Sequence, residues 1–345
     1  MEDEKVALDL KAEVLCSGTL YIPEEIKIPF PASRSSAGPG AGNTSIVICF
    51  SGIRAKIPIS RRSGELELRK RDKESYEILK NGKPLVTDVT LLPTLCHAPG
   101  QAFVSIGRSC KMNCLFCTIN EAGSKSKGDI SVDTAFKLIE SVSKKPDFHA
   151  VAITSGIGRS IEDQIEHMAD LVSRVRKRFP EIPIGVEPLI TSKYQLMKLK
   201  EAGATEVKVN LEAATRDIFK IVCPARDYDI TLESIRCAVA VFGKGKVTSN
   251  IIVGFGETDD DVGYALEMLA HIGSVGNIRA IRLNKLNFDR LTEALGRSIG
   301  IDKNRLISLA KMQKQILERH GLSTKEFKTM CFPCGCCDLV PGIDF

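Results

Sequence analysis

The sequence lacks tryptophan, has few aromatic residues and contains no long apolar run. Aromatic residues make up 6% of its 345 residues, and no segment approaches the ~18 consecutive apolar residues that suggest a membrane span. The first residues, MEDEKVALDLKAEV, are charged where a signal peptide would be apolar. Lysine and arginine number 48 against 43 acidic residues, and no basic stripe is interleaved with aromatics, so nucleic-acid binding is not indicated. We expect a cytoplasmic globular protein that does not span a membrane.

Cysteine, by contrast, is abundant. The chain has 12 cysteines, which are too many for isolated core thiols, and the cytoplasm is the wrong compartment for a disulfide scaffold. The five histidines include no pair at metal-ligand spacing. The cysteines therefore indicate a metal centre.

Residues 1–100 have a different sequence pattern from the rest of the chain. They contain short β-branched runs such as Thr44–Phe50 and Arg54–Ile59, and the segment Pro31–Thr44 is dense in residues that break helix and strand. This pattern predicts a small β-rich N-terminal region. It serves either as a packing layer or lid, or as a contributor to the chemistry.

Residues 101–300 alternate short strands with amphipathic helices. This βα rhythm implies a parallel sheet. Six units favour an α/β fold with a partial (β/α)6 TIM-type barrel, in which ligands bind at the carboxyl ends of the strands. Residues 301–345 predict a helix, Asp302–His320, and a cysteine-rich tail. The predicted strands are Ala102–Ile106, Ala150–Thr154, Ile184–Glu187, Glu206–Asn210, Val247–Val253 and Ile278–Leu286, and the predicted helices include one capped by Ser131, Ile161–Arg178 and Lys193–Ala202.

The first cysteine group is Cys110, Cys114 and Cys117, directly after the first barrel strand. Three thiolates in one short loop can converge on one metal centre, and soft sulfur ligands select iron–sulfur clusters or zinc. A cubane cluster held by three cysteines leaves a fourth coordination position open. A zinc site needs a fourth protein ligand, for which His97 or Cys96 is available.

The Cys-x3-Cys-x2-Cys spacing, with Phe116 before the last cysteine and a six-unit βα barrel around it, resembles the signature of the radical S-adenosylmethionine (SAM) superfamily. The resemblance implies a [4Fe-4S] cluster on Cys110, Cys114 and Cys117, whose fourth iron binds the amino and carboxylate groups of S-adenosylmethionine. One electron then cleaves the sulfonium and releases a 5'-deoxyadenosyl radical. These three cysteines are the predicted catalytic residues.

Three further motifs are similar, in order and approximate spacing, to those of biotin synthase and lipoyl synthase. They are Asn210-Leu211-Glu212 at the end of the fourth strand, Arg226-Asp227-Tyr228, and the segment IVGFGETD that begins at Ile252. The similarity covers about residues 101–291. The predicted cofactor-binding residues are Phe116, Ser155, Gly156, Glu187, Asn210, Glu212, Arg226, Ile252 and Gly254. Of these, Glu187 is included because the end of strand three points towards the barrel mouth, where it could equally form a salt bridge at the rim.

Three positions depart from these families. After the second strand they usually have Gly-Gly-Glu, whose carboxylate binds the amino group of the methionyl moiety. This chain has Thr154-Ser155-Gly156-Ile157 there, so backbone and hydroxyl groups would replace that carboxylate. Asn250 stands where the strand-five motif begins with glycine. Thr248 stands where biotin synthase has a cysteine for its sulfur-donating second cluster, which disfavours biotin synthase itself.

The second cysteine group is Cys331, Cys334, Cys336 and Cys337 in the tail. These residues can supply most or all ligands of an auxiliary iron–sulfur centre, which we expect to be a [4Fe-4S] cluster. Because adjacent cysteines do not both reach one cube comfortably, one is expected to be spare, and Cys96 could complete the set. A small zinc site or a redox-active tail are the alternatives.

Sulfur insertion is the predicted activity, since biotin and lipoyl synthases share it. The C-terminal position of the second cysteine group looks like the divergent lipoyl synthases of archaea and anaerobic bacteria, in which two radical proteins share the insertions. This implies an octanoyl chain on an acyl-carrier or lipoyl-carrier protein as substrate, a second radical SAM subunit, and an electron donor such as ferredoxin or flavodoxin. The alternatives are a methylase or peptide-modifying radical enzyme, whose auxiliary cluster binds substrate or carries electrons, and a zinc-stabilised scaffold without the cofactor.

Overall fold

The structure is a computed structural model that describes residues 2–35, 38, 40–123 and 129–345. Ser36, Ala37 and Pro39 of the predicted loop lie outside the described residues. The strands are β1 (Leu20–Tyr21), β2 (Ser33–Arg34), β3 (Thr44–Phe50), β4 (Ile53–Ser60), β5 (Leu66–Lys70), β6 (Tyr76–Lys80), β7 (Lys83–Leu92), β8 (Gln101–Ser105), β9 (Ala150–Thr154), β10 (Ile184–Glu187), β11 (Glu206–Lys208), β12 (Val247–Val253) and β13 (Val275–Ala280).

The helices are α1 (Glu2–Cys16), α2 (Ile119–Gly123), α3 (Val132–Val142), α4 (Ile161–Arg178), α5 (Lys193–Glu201), α6 (Arg216–Val222), α7 (Tyr228–Phe242), α8 (Asp259–Ile272), α9 (Phe288–Leu295), α10 (Lys303–Arg319) and α11 (Cys331–Cys334), with a 3-10 turn at Thr324–Glu326. Ser131 and Asp302 cap α3 and α10 through their side chains, as helix starts require. None of the described helices has the length and apolar content needed to cross a membrane.

The N-terminal sheet closes on itself. Its strand order is β2-β3-β4-β1-β5-β6-β7, and β3 also pairs antiparallel with β7, so six of the strands form a ring. Aliphatic side chains such as Ile48, Leu68 and Ile78 fill its interior. The observed β3 has the predicted bounds Thr44–Phe50, and the predicted strand Arg54–Ile59 lies within β4.

Helix α1 is absent from the predicted elements, because the sequence of this segment is conspicuous only for its charged residues. The helix packs against β4 and against α10. Its Lys11 is fully buried, and the Nζ atom donates to Asp344 Oδ2 and to Gly335 O, both at 2.6 Å. The first helix therefore holds the last residues of the chain in place.

Replacing Lys11 by methionine is expected to lower the free energy of unfolding by about 3 kcal/mol, because it leaves the buried Asp344 carboxylate unpaired. The matched control is Lys303→Met. Lys303 pairs with Asp9 of the same helix at 2.6 Å but is one-third exposed, so its loss should cost about 1 kcal/mol or less. Urea unfolding of both variants measures the difference, and equal losses would contradict the structural role of Lys11.

The second sheet is parallel throughout, in the order β13-β12-β11-β10-β9-β8. Strands β9, β10 and β12 have the predicted bounds, whereas β8 begins and ends one residue earlier than predicted. Strand β11 ends at Lys208 rather than Asn210. The predicted bounds Ile278–Leu286 of the last strand are wrong, since β13 begins at Val275 and ends at Ala280.

The early start of β13 has a packing cause. Gly276 and Asn277 look like turn residues, but a Cβ on Gly276 would lie 2.8 Å from Leu266 of α8, so glycine permits a close approach of that helix. Asn277 is buried and donates to Asn250 Oδ1 and to Asp338 Oδ2, each at 3.0 Å. Contacts with residues distant in sequence therefore explain why Gly276 and Asn277 lie in a strand.

The parallel sheet curls into an open barrel, and the predicted α/β partial (β/α)6 barrel is confirmed. Among the described residues, β8 and β13 are the two edge strands of this sheet and do not pair with each other. Side chains from all six strands line one cavity, which requires that the sheet curve around it. They are Phe103, Thr154, Glu187, Lys208, Asn250, Ile252 and Arg279.

The C-terminal tail closes the amino end of this barrel. Glu206, the first residue of β11, accepts from the backbone N–H groups of Lys328 and Thr329 at 2.8 and 2.9 Å. Gln101, the first residue of β8, exchanges two hydrogen bonds with the Met330 backbone. The tail cysteines therefore enter the barrel from the end opposite the Cys110–Cys117 loop, which follows the carboxyl end of β8.

Candidate active site

One cavity of about 300 Å³ brings the two cysteine groups together. Cys110, Cys114 and Cys117 line it from the carboxyl side of the barrel. The tail contributes a second set to the same lining, namely Cys331, Cys334 and Cys337. Cys336 is 1% exposed and is not among the lining residues.

The first cysteine loop is held by hydrogen bonds to its backbone. Asn120 accepts from Cys110 N at 2.9 Å and donates to Cys110 O at 2.8 Å. Asn287 donates to Phe116 O at 3.0 Å, and Arg290 donates to the carbonyls of Leu115 and Cys117. The shape of the loop is therefore fixed through its backbone, by residues that lie outside it.

Cys114 has an unforeseen neighbour in Cys223, a thiol to which the sequence analysis assigns no role. A hydrogen bond from Cys223 lowers the pKa of Cys114, and the nearby Arg226 guanidinium acts in the same direction. The pKa of Cys223 is raised well above its usual value by the same bond and by burial. Burial raises the pKa of Cys117 to about 12. Of Cys114 and Cys223, Cys114 is therefore the thiol that ionises more easily.

Gly107 and Gly156 allow the loops after β8 and β9 to touch backbone to backbone. A Cβ on Gly156 would lie 2.2 Å from Ser109 O, beside Cys110, and one on Gly107 would lie 2.6 Å from Gly156 O. Real Cβ atoms do not approach backbone this closely. Ser155 turns its hydroxyl to Gly156 O at 2.8 Å.

Replacing Gly156 by alanine should displace the Ser109–Cys110 backbone and lower the iron and sulfide bound after anaerobic reconstitution to half or less of the wild-type content. The control is Gly18→Ala, since Gly18 has a backbone that alanine can adopt and its Cβ would meet nothing closer than 3.5 Å. Elemental iron and acid-labile sulfide assays measure the effect. Normal content in the Gly156 variant would contradict the proposed geometry.

Buried charges follow the strand ends. Glu187 lies 3.1 Å from Lys208 and accepts from Asn210 at 2.7 Å. Burial opposes ionisation of Glu187, yet the positive charge of Lys208 and the bond from Asn210 leave its pKa lowered. Glu212 lies 3.3 Å from Arg226, but burial dominates there and raises its pKa.

Arg226 carries an unused donor. Its Nη2 donates to Asn210 O at 2.7 Å and its Nη1 to Glu212, whereas the buried Nε has no hydrogen-bond partner within the part of the chain that the structure describes. A buried donor without a partner is costly. The position therefore suits a ligand that offers an acceptor, such as a carboxylate.

Eight of the nine predicted cofactor-binding residues line the cavity. The exception is Gly254, whose carbonyl accepts from Gly300 N at 2.8 Å and whose φ of +106° favours glycine. Phe116 is buried against Phe255, with ring centroids 6.1 Å apart. The residues brought together are Phe116, Ser155, Gly156, Glu187, Asn210, Glu212, Arg226 and Ile252.

Basic side chains surround the tail cysteines. Lys208 Nζ and Arg279 Nη2 lie 3.4 and 3.3 Å from Cys331 Sγ, and Arg279 also pairs with Asp338 at 2.7 Å. A hydrogen bond from Cys336 lowers the pKa of Cys334 to about 7, although burial opposes this. A thiolate is thus favoured at Cys334, and thiolate is the form that binds metal.

The donor sets fit iron–sulfur centres in their chemistry. Each group presents three sulfur atoms to the cavity, and sulfur is the ligand type such clusters prefer. Of the side chains described, no three His, Cys, Asp or Glu are arranged to hold a single metal ion. Cys96, a predicted alternative ligand, is not in the described lining, whereas His97 is.

Several site residues have no local signal in the sequence. Lys56, Lys208 and Arg279 come from three different strands and converge only through the fold. Asn120 of α2 and Arg290 of α9 form hydrogen bonds with the backbone of the cysteine loop. Cys223 could be suspected, since it lies three residues before Arg226 and follows helix α6, but a single buried cysteine is common.

Known proteins are similar to this chain mainly in the barrel region. The model of the Radical SAM superfamily matches residues 104–269. A lipoyl synthase of Laribacter hongkongensis is 30% identical over 229 residues, which cover 64% of this chain and 67% of the relative. A biotin synthase of Heliobacterium modesticaldum is 33% identical over 136 residues, or 39% of each protein.

Among solved structures, that of methylornithine synthase superposes with a TM-score of 0.48 at 17% identity, over 63% of this chain and 62% of the other. The chain thus spans between about two fifths and two thirds of the length of these relatives. The first cysteine group lies inside the matched residues 104–269, and the tail cysteines lie beyond them.

Proposed function

The chain belongs to the radical SAM superfamily, and we propose that it inserts sulfur into an octanoyl chain carried on a protein lysine, in the manner of a lipoyl synthase. The observation that carries the proposal is that two separate cysteine trios line one cavity from opposite ends of the barrel. A sulfur source must reach the substrate carbon from a side that the hydrogen-abstracting group does not occupy. This arrangement offers such a separation.

Cys110, Cys114 and Cys117 would hold the [4Fe-4S] cluster, and S-adenosylmethionine would bind beside it. When bound, these groups supply a 5'-deoxyadenosyl radical that abstracts hydrogen from an unactivated carbon. Arg226 is placed to donate from its unpaired Nε to a cofactor carboxylate, because its other nitrogens already donate to Asn210 O and Glu212.

The carboxyl loops orient the remaining groups. Gly156 keeps the β9 loop within contact distance of Ser109, and its backbone and the Ser155 hydroxyl would replace the carboxylate that the families it resembles use. Glu187 stays ionised beside Lys208 and can accept a hydrogen bond from a ligand amine or hydroxyl. Ile252 and Phe116 supply apolar surface that excludes water from the reacting carbon.

Cys331, Cys334 and Cys337 would hold the auxiliary cluster, which serves as the sulfur donor and is consumed as a substrate. Cys336 is then the spare cysteine, because its side chain is buried outside the cavity. The partners proposed with this function are a lipoyl carrier domain, a sister radical SAM subunit and a ferredoxin or flavodoxin. Cytoplasmic location is part of the same proposal.

The test is an anaerobic incubation of reconstituted protein with S-adenosylmethionine, a strong reductant and an octanoyl-lysyl peptide. The expected result is 5'-deoxyadenosine together with a thiolated peptide detected by mass spectrometry, and no thiolation of a peptide with unmodified lysine. Formation of 5'-deoxyadenosine without a thiolated product would overturn sulfur insertion on this substrate. That result would favour an auxiliary cluster that binds substrate or carries electrons.

A further inference from the structure

The cavity holds more positive charge than its carboxylates balance. Two cations, Lys56 of β4 and Arg282 after β13, have no carboxylate partner within the described ranges of the chain. Arg282 donates instead to a backbone oxygen, Lys56 O, at 3.1 Å. The other cavity cations are each paired: Lys208 with Glu187 at 3.1 Å, Arg226 with Glu212 at 3.3 Å and Arg279 with Asp338 at 2.7 Å.

The environment of Lys56 makes this imbalance costly. The residue is 3% exposed, and its Nζ donates to Ser33 Oγ at 3.0 Å and to His97 O at 2.7 Å. Both acceptors are neutral groups. Burial beside Lys56 and other cations holds the pKa of His97 well below its usual value, so its ring is neutral as well. A buried ammonium group without a counter-charge is strongly destabilising.

The tail cysteines are the groups within reach that become anionic when they bind a metal centre. The backbone N–H of Lys56 donates to Cys336 O at 2.7 Å, so β4 runs directly beside the tail. Burial lowers the pKa of Lys56, and the nearby Cys337 and Cys334 side chains oppose that shift in part. Cys334, Cys337 and Lys56 are all among the residues that line the cavity.

We propose that Lys56 is a positioning residue for an anionic iron–sulfur centre on Cys331, Cys334 and Cys337, whose negative charge it offsets together with Arg282. The inference rests on the proposed function only in requiring that the tail hold such a centre. Reduction adds one negative charge to the centre, and a nearby cation stabilises the reduced form. Lys56 therefore raises the reduction potential of the tail centre, and the N-terminal region contributes to the chemistry rather than serving only as a packing layer.

The experiment uses full-length protein in which Cys110, Cys114 and Cys117 are all replaced by alanine, so that only the tail can be loaded. After anaerobic reconstitution, iron and sulfide are counted and the reduction potential is measured by redox titration followed by electron paramagnetic resonance. Lys56→Met is expected to lower the equilibrium constant for reduction of the tail centre about tenfold. For a one-electron couple this is a shift of about 59 mV to more negative potential. Lys56→Arg keeps the charge and should restore the parent potential.

Lys83→Met, at an exposed position of the same N-terminal sheet, is the control and should leave the potential unchanged. Arg282→Gln removes the second unpaired cation and should shift the potential in the same direction as Lys56→Met. Equal potentials in the parent, Lys56→Met and Arg282→Gln proteins would overturn the role of Lys56 and leave the tail centre standing.

Cluster loading separates the remaining outcomes. If Lys56→Met binds no iron while Lys56→Arg does, positive charge is needed for assembly and the proposal holds. If neither variant binds iron, the shape of lysine and not its charge matters, and the charge role is overturned. A parent protein without tail iron would instead remove the auxiliary centre itself, and with it this inference.

Discussion

Replacing Cys110 by alanine is expected to reduce 5'-deoxyadenosine formation to the level of a protein-free control. Three sulfur donors are needed to hold a cluster that keeps one iron free for S-adenosylmethionine, and alanine leaves two. The loop should keep its shape, because Asn120 binds the Cys110 backbone and not its thiol. Chromatographic quantification of 5'-deoxyadenosine after reduction measures the loss.

Cys237→Ala is the matched control for this prediction. Cys237 lies on α7, its thiol contacts Glu233 at 3.7 Å, and it does not line the cavity. This variant should cleave the cofactor at the wild-type rate. If Cys110→Ala retained cofactor cleavage, the first cysteine trio would not be the cluster site.

Replacing Cys334 by alanine should separate cofactor cleavage from product formation. The variant should form 5'-deoxyadenosine, because the first cysteine trio and the strand-end residues are untouched, but thiolated octanoyl peptide should fall to background. Cys334 is the tail thiol whose pKa is lowered, to about 7, so its loss removes the readiest thiolate of the set. Both products are measured in the same reaction by liquid chromatography and mass spectrometry.

The control here is Cys336→Ala, two residues along the chain, whose side chain is buried outside the cavity. This variant loses the hydrogen bond that lowers the pKa of Cys334 but keeps the three thiols that line the cavity. It should still form thiolated product. Equal loss in both variants would mean that the tail acts as a packing element. Full product formation by Cys334→Ala would place the sulfur source elsewhere.

Most barrel strands are predictable because they are short segments, rich in β-branched and other apolar residues, that are buried on both faces. Val247–Val253 is buried along its whole length, and Ala150–Thr154 nearly so, and such runs bounded by turn residues are typical of parallel sheets. Helices α3 and α4 are also predictable, since Ser131 and Ser160 cap them through side-chain hydrogen bonds. These features depend on neighbours along the chain.

The parts that were missed depend on distant neighbours. Lys11 is a charged residue in a charged segment, and nothing nearby shows that Asp344 pairs with it across the fold. Gly276 and Asn277 are typical turn residues until Leu266 and Asp338 are packed against them.

The candidate site divides in the same way. The cysteine spacing shows the first trio directly, and the motifs that contain Glu212 and Arg226 follow from resemblance. The facing position of the tail trio could not be predicted, because it depends on Glu206 and Gln101 holding the tail at the amino end of the barrel. The basic residues around it come from strands far apart in sequence, so no local pattern marks them.

The most direct test is the fate of S-adenosylmethionine on wild-type protein purified and reconstituted without oxygen. If three thiolates hold a cluster with one free iron, the brown protein should convert S-adenosylmethionine to methionine and 5'-deoxyadenosine under strong reductant. Colourless protein that leaves S-adenosylmethionine intact under the same conditions would contradict the radical function and, with it, the proposed action on an octanoyl chain.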